Sequence, residues 1–253
     1  MTVYRKCNHS KYPDALIREA EGLELLRSGL KAVDPSPGIR VPEVFHVDDT
    51  VMEMEAIQAG SAGDATLAML GEGLASLHRV PQPFYGLDCN NYIGLSPQIN
   101  GRSEQWGHFF VKQRLGYQVQ LIRNETLRQE FESVLDSSAT ALESWLNARC
   151  EHPSLLHGDL WGGNALFDGR TPWLIDPAVY FGDREADVAM TEMFGGFGAA
   201  FYKAYDSVWP RSADYPLKRD IYNLYHYLNH YNLFGGSYLE GCRRGFEVVS
   251  AIC

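Results

Sequence analysis

Leu155-Leu-His-Gly-Asp-Leu-Trp-Gly-Gly-Asn164, followed by Trp173-Leu-Ile-Asp-Pro177, is the most informative stretch of this 253-residue chain. The first part is a loop in which Gly158, Gly162 and Gly163 let the backbone turn tightly and come close to a ligand. The second part closes a hairpin: Asn164-Ala-Leu-Phe167 reads as one strand, Asp168-Gly169 as the turn and Trp173-Leu-Ile175 as the return. That return carries Asp176 back beside Asn164. A lone His-Gly-Asp would mean little, because Gly-Asp pairs mostly mark turns. The signal is the gathering of Asp159, Asn164 and Asp176 on one loop and hairpin. His157 reads as a packing and hydrogen-bonding residue.

Asp159 and Asn164 are five apart, the spacing of the H-R-D-x-x-x-x-N loop of phosphoryl-transfer enzymes. The chemistry accounts for it. Phosphoryl transfer needs a carboxylate that orients the attacking hydroxyl and takes its proton. It also needs oxygen ligands for Mg²⁺ from another direction, and Mg²⁺ takes few protein ligands beside phosphate oxygens. Asp159 fits the first task, and Asn164 with Asp176 the second.

Outward from this segment, Thr2 to Cys7 reads as a strand. Pro13 precedes a helix whose apolar residues Leu16, Ala20, Leu23 and Leu26 keep a helical period. A breaker cluster at 34–38 leads into two strands, Val41 to Val47 and Thr50 to Met54, joined at Asp48-Asp49. From Ala65 the pattern turns helical: a helix ending near His78, a Pro- and Gly-rich loop over 81–97, then Trp106 to Leu121 and Leu127 to Trp145. After the hairpin come Asp187 to Met193, Ala199 to Asp206 and Lys218 to Leu233. The expected architecture is α+β: a small mixed lobe over 1–57 and a larger, mostly helical lobe over 58–253.

Composition excludes several classes. Hydrophobic residues make up 45% and charged ones 21%, which is globular rather than disordered. With 22 Lys and Arg against 32 Asp and Glu the net charge is −10, so neither nucleic acid nor an anionic membrane is an expected partner. No apolar run approaches a membrane span, and the opening residues lack the apolar core of a signal peptide. Cys7, Cys89, Cys150, Cys242 and Cys253 are scattered without zinc spacing, which reads as reduced thiols in a cytoplasmic protein.

On these motifs the chain resembles the fructosamine/ketosamine-3-kinases, relatives of aminoglycoside and choline kinases with a protein-kinase-like fold. The Trp after His-Gly-Asp-Leu, the segment Asp176-Pro-Ala-Val-Tyr-Phe-Gly-Asp-Arg-Glu-Ala-Asp187, and Met193-Phe-Gly-Gly-Phe197 are similar to that family's signatures, as is Leu74-Ala-Ser-Leu-His78 upstream. The resemblance spans about residues 3 to 240 and implies ATP-dependent phosphorylation of the 3-hydroxyl of a ketosamine, free or on a protein lysine, with Mg²⁺. By position, Asp159 resembles the catalytic base, and Asn164 and Asp176 the Mg²⁺ ligands. Lys6 resembles the strand lysine that holds the nucleotide phosphates. Glu19 resembles its helix partner, with Glu21 as the rival. The backbone of Glu53 and Met54 resembles the adenine-binding hinge, and Trp161 is placed to stack on the ketosamine.

The family opens with a glycine-rich turn over the phosphates, and no glycine precedes Lys6 here. The expectation is a shortened small lobe without its first two strands, with an exposed sheet edge. That keeps two further readings open: a truncated, weakly active or binding-only ketosamine protein, and another small-molecule kinase of the aminoglycoside or choline type. The oligomeric state is open. The acidic run Asp183, Glu185 and Asp187 reads as helix capping or as a partner for the acceptor amine. Cys7 reads as a small buried hydrophobe, and Tyr222 to Tyr231 as core.

Overall fold

The computed structural model describes residues 2–35 and 37–252. Met1, Ser36 of the breaker cluster and Cys253 of the five cysteines lie outside the described residues.

Three short strands, β1 (Val3–Cys7), β2 (Val44–Val47) and β3 (Val51–Glu55), form an antiparallel sheet in the order β1-β3-β2. Tight local chemistry sets the β2–β3 turn. Asp48 Oδ1 accepts from the backbone N–H of Thr50 and of Val51, both at 2.8 Å, an Asx turn at the position the sequence expects. Helix α1 (Ala15–Lys31) buries Leu16, Leu23, Leu26 and Leu30, one apolar stripe at helical spacing. Among the described residues no strand pairs with the outer edge of β1, where Val3 and Tyr4 are half exposed.

The rest is mostly helical. Helix α2 (Asp64–His78) leads to a hairpin of β4 (Asn91–Ile93) and β5 (Ser96–Gln98) inside the segment read as loop. Strands of three residues carry too little alternation to show in a sequence. The expected helix from Trp106 is present but not uniform. It runs as α3 (Trp106–Phe109), a π-helical turn at Phe110–Gly116 and α4 (Tyr117–Gln120). Then come α5 (Glu125–Asn147), β6 (Ser154–Leu156), β7 (Ala165–Phe167), β8 (Pro172–Leu174) and β9 (Tyr180–Gly182). Strands β7 and β8 are the hairpin read from sequence, whereas the β6–β9 pair was not legible. Helices α6 (Glu185–Met193), α7 (Ala199–Val208), α8 (Tyr215–Phe234) and α9 (Leu239–Ser250) complete the chain. The last escaped the sequence reading although Cys242, Phe246 and Val249 repeat at helical spacing and are buried. No helix among the described residues is long and apolar enough to cross a membrane.

Gly86 joins the loop before β4 to β9: its N–H donates to Phe181 O and its C=O accepts from Phe181 N, both at 2.8 Å. Its φ is +96°, and a Cβ there would lie 1.9 Å from the Gly101 carbonyl oxygen. Gly86→Ala combines a left-handed backbone with a backbone clash, so a loss of about 2–4 kcal/mol is expected. A lower urea midpoint at unchanged m-value would show it.

Candidate active site

The loop after β6 is held from below. Asp187, buried at the start of α6, accepts the backbone N–H of His157 at 2.7 Å and of Gly158 at 2.8 Å, and lies 3.3 Å from His78 Nε2. Gly158 has φ +82°, and a Cβ there would meet the Ala178 carbonyl oxygen at 2.0 Å, so only glycine passes. His157 Nε2 lies 2.9 Å from the Ile175 carbonyl, which ties the loop to the end of β8. Burial drives the His157 pKa down, keeping the ring neutral.

These ties bring the three polar residues together. Asn164 Nδ2 donates to the Asp159 carbonyl at 2.8 Å and to Asp159 Oδ2 at 3.2 Å. Burial pushes the Asp159 carboxyl up to about 7; the Asn164 hydrogen bond opposes this, and the charges of Asp176 and Asp187 add to it. A carboxylate poised there suits proton exchange near neutrality. Asp176 has φ +50°, uncommon for any residue but glycine and best tolerated by Asp and Asn. From that position it reaches Lys6.

Lys6 Nζ, from β1, donates to both oxygens of Glu19 at 2.8 Å and to Asp176 Oδ1 at 2.9 Å. Of the two candidate helix partners, Glu19 therefore faces Lys6, whereas the Glu21 carboxylate takes Arg18 Nη1 at 2.8 Å. Burial lowers the Lys6 pKa, but Glu19 and Asp176 outweigh it and the ammonium is held above its ordinary range. Burial is also the main cause that raises Glu19, with Lys6 opposing and Asp176 adding.

Three hollows meet at these residues. A polar cleft lies between α1 and the loop, lined by Lys6, Arg18, Glu19, Asp159, Asn164 and Asp176. An apolar slot beside it is lined by Tyr4, Met54, Ile57, Leu166 and Ile175, with Lys6 and Asp176 at its edge. An aromatic pocket opens on the other side of Asp159, walled by Leu95, Trp161, Phe194, His230, Phe234 and Tyr238. Trp161 is 40% exposed at the mouth, its ring edge-on to Phe194 at a centroid distance of 6.2 Å. Gly163 makes room for it, since a Cβ there would fall 2.3 Å from the indole.

Several sequence readings change here. Glu53 and Met54 sit in the central strand, paired with Arg5 and Tyr4 on one side and His46 and Val44 on the other. The Met54 side chain lines the slot, but Glu53 points to Arg5, 3.6 Å away. The chain first leaves the sheet after Glu55, and Ile57 lines the slot. The acidic run turns inward rather than toward an acceptor. Asp183 Oδ1 caps α6 by accepting Glu185 N–H at 2.9 Å, and Asp183 and Glu185 share the buried Lys218 ammonium at 2.8 Å each. Cys7 is exposed rather than buried. Tyr222 and Tyr225 are core as read, but the next turn of α8 brings Asn229, His230 and Leu233 to the aromatic pocket. The clue was the one-turn spacing of Asn229 to Leu233 and of His230 to Phe234, hidden by the uniformly aromatic stretch.

The family model for fructosamine kinases matches residues 1–250. The chain belongs to the fructosamine kinase family. A probable ketoamine kinase of Vibrio cholerae is 36% identical over 250 residues, covering 96% of this chain and 83% of that protein. The chloroplastic protein-ribulosamine 3-kinase of Arabidopsis thaliana is 40% identical over 223 residues, 83% of this chain and 66% of that protein. A putative fructosamine-3-kinase from Haemophilus somnus superposes with a TM-score of 0.84 at 28% identity, covering 98% of this chain and 84% of that one. The fold of this fructosamine kinase family member is protein-kinase-like, as expected from its motifs.

The donor set fits Mg²⁺. Asn164 spends its amide N–H on Asp159, which leaves its Oδ1 as a donor atom, and Asp176 has Oδ2 beyond the oxygen that Lys6 holds. Among the described residues no group of three His, Cys, Asp or Glu side chains converges on a metal position. Two free oxygens, Asn164 Oδ1 and Asp176 Oδ2, suit an ion that completes its shell from phosphate and water.

Proposed function

We propose that the chain transfers the terminal phosphoryl group of ATP to the 3-hydroxyl of a ketosamine, a fructosamine or ribulosamine adduct on a small amine or a protein lysine. The observation that carries this reading is the position of Asp159, which lines both the polar cleft and the aromatic pocket. A hydroxyl held by the pocket and a phosphate held in the cleft would meet at that carboxylate.

Each residue then has one task. Lys6, oriented by Glu19, binds phosphate oxygens, and the apolar slot beside Met54 and Ile57 takes the adenine face. Asn164 and Asp176 hold Mg²⁺, which when bound supplies neutralising charge to the phosphate oxygens. Asp159 orients the acceptor hydroxyl and receives its proton as that oxygen bonds to phosphorus. Trp161 with Phe194, Phe234 and Tyr238 offers ring faces to the cationic amine of a ketosamine, a contact worth about 0.5–2 kcal/mol per favourable pair. The 3-phosphate ester so formed would make the adduct labile, which gives a role in protein deglycation. The cytoplasmic location, in a compartment that keeps the cysteines reduced, is part of the same proposal.

Phosphorus NMR of the product from a panel of fructosyl-lysine, ribulosyl-lysine, an aminoglycoside and choline tests the reading. An ester on O3 of a ketosamine is expected. An ester on the aminoglycoside or choline with none on either ketosamine would overturn it, and ketosamine binding without any ester would make the chain a binding protein.

A further inference from the structure

Arg18 is the feature of the polar cleft that the tasks above leave unused. It stands in the first turn of α1, one residue before Glu19, and its side chain lines the cleft together with Asp159, Asn164 and Asp176. That turn carries no acidic residue, and a cation at a helix N-terminus opposes the helix dipole, a cost that the one-turn ion pairs to Asp14 and Glu21 offset. Two carboxylates hold it in place. Arg18 Nε donates to Asp14 Oδ2 at 3.2 Å and Nη1 to Glu21 Oε2 at 2.8 Å. Asp14 is itself fixed by the Tyr92 hydroxyl, from the β4 strand that also lines the cleft. Among the described residues no acceptor engages Nη2, and a guanidinium keeps its donors in a rigid fork that matches phosphate oxygens.

The charge balance of the cleft asks for such a group. Its wall presents three carboxylates, Glu19, Asp159 and Asp176, against the two cations Lys6 and Arg18, and Lys6 is already shared between Glu19 and Asp176. Phosphoryl transfer spreads negative charge over the three non-bridging oxygens of the moving group, and cations aimed there act on the transition state more than on the bound nucleotide.

We infer that Arg18 is a further catalytic residue, hydrogen-bonding the non-bridging oxygens of the γ-phosphoryl group during transfer. This rests on the proposed function. In the step, the bond between the γ-phosphorus and the β,γ-bridging oxygen breaks and ADP leaves with that electron pair. The acceptor oxygen bonds to phosphorus, its proton goes to Asp159, and Arg18 neither gains nor loses a proton.

The test is calorimetric binding of Mg-ATP and Mg-ADP to the wild type and to Arg18→Ala, Arg18→Lys, Asp14→Asn and Glu21→Gln, with steady-state rates beside it. A residue on the γ-phosphoryl group makes Arg18→Ala lose about 10-fold in ATP affinity while ADP affinity changes less than about 2-fold. It also lowers kcat about 100-fold with the acceptor KM unmoved, and Arg18→Lys recovers part of both. Asp14→Asn and Glu21→Gln, which remove the carboxylates but keep the guanidinium, retain the preference for ATP. Equal losses for ATP and ADP, or an Asp14→Asn variant that behaves like Arg18→Ala, would make Arg18 a structural clasp of α1 and overturn the inference. A raised acceptor KM with nucleotide preference intact would make it an acceptor contact and overturn it too. Failure of the wild type to phosphorylate any ketosamine strikes instead at the proposed function.

Discussion

Asp187→Ala is expected to destabilise the protein by about 3–5 kcal/mol, because it leaves two buried N–H groups unpaired and removes a buried, hydrogen-bonded charge. The N–H groups are those of His157 and Gly158, and His78 loses the same partner. A whole domain is stable by only about 5–15 kcal/mol, so the loss is a large fraction of the total. The pH dependence gives a sharper signature with Asp187→Asn. Burial alone would raise the Asp187 pKa, but the His78 hydrogen bond, the nearby His78 and His157 rings and the Gly158 N–H outweigh it and hold the group below its ordinary range. A depressed folded-state pKa means the stabilisation is complete above the unfolded value and is lost as pH falls through the folded one. Chemical denaturation from pH 7 downward should therefore show the gap between wild type and Asp187→Asn constant at neutral pH and narrowing below about pH 4. A gap that widens on acidification would contradict the assignment. Because the same carboxylate carries the backbone of the loop that holds Asp159, the proposed base, the surviving folded fraction of either variant should also turn over more slowly.

Asp176→Asn separates chemistry from stability. Asparagine tolerates the left-handed backbone at φ +50°, so the turn after β8 keeps its shape. The change removes one of three clustered carboxylates, at the cost of one ion pair to a partly exposed Lys6, which is still held by Glu19. Stability should stay within about 1 kcal/mol of wild type. Turnover should fall about 1000-fold, because the residue proposed to hold Mg²⁺ loses its charge. Calorimetric Mg²⁺-dependent nucleotide binding and a thermal melt on the same sample check both halves. A strong fall in melting temperature with activity retained would reverse the assignment.

How far the sequence reaches can be traced residue by residue. Asp159, Asn164 and Asp176 were legible because a loop of fixed length and a tight hairpin are local features, and local geometry survives in spacing. Lys6 and Glu19 needed more. They are thirteen residues apart on different elements, and only the packing of α1 against the sheet decides that Glu19 rather than Glu21 turns inward. The aromatic pocket was not legible. Leu95, Phe194, His230 and Tyr238 come from four segments, and each alone has the apolar or aromatic character of ordinary core. The strands β4, β5, β6 and β9 are too short to show alternation, and β6 and β9 are also specified by partners far along the chain. The acidic run was legible in part. Capping, one of its two readings, holds for Asp183, but the buried partners supplied by α2, α8 and the loop after β6 lie far along the chain.

The central claim is that Asp159 takes the proton of a ketosamine hydroxyl as phosphate is transferred to it. The most direct measurement is the initial rate of acceptor-dependent ADP formation from Mg-ATP with fructosyl-lysine, for the wild type beside Asp159→Asn. General-base assistance is worth about 100- to 10,000-fold, so the wild-type rate should require the acceptor and the variant should lose at least about 100-fold while still binding Mg-ATP. A variant that keeps the wild-type rate would contradict the account.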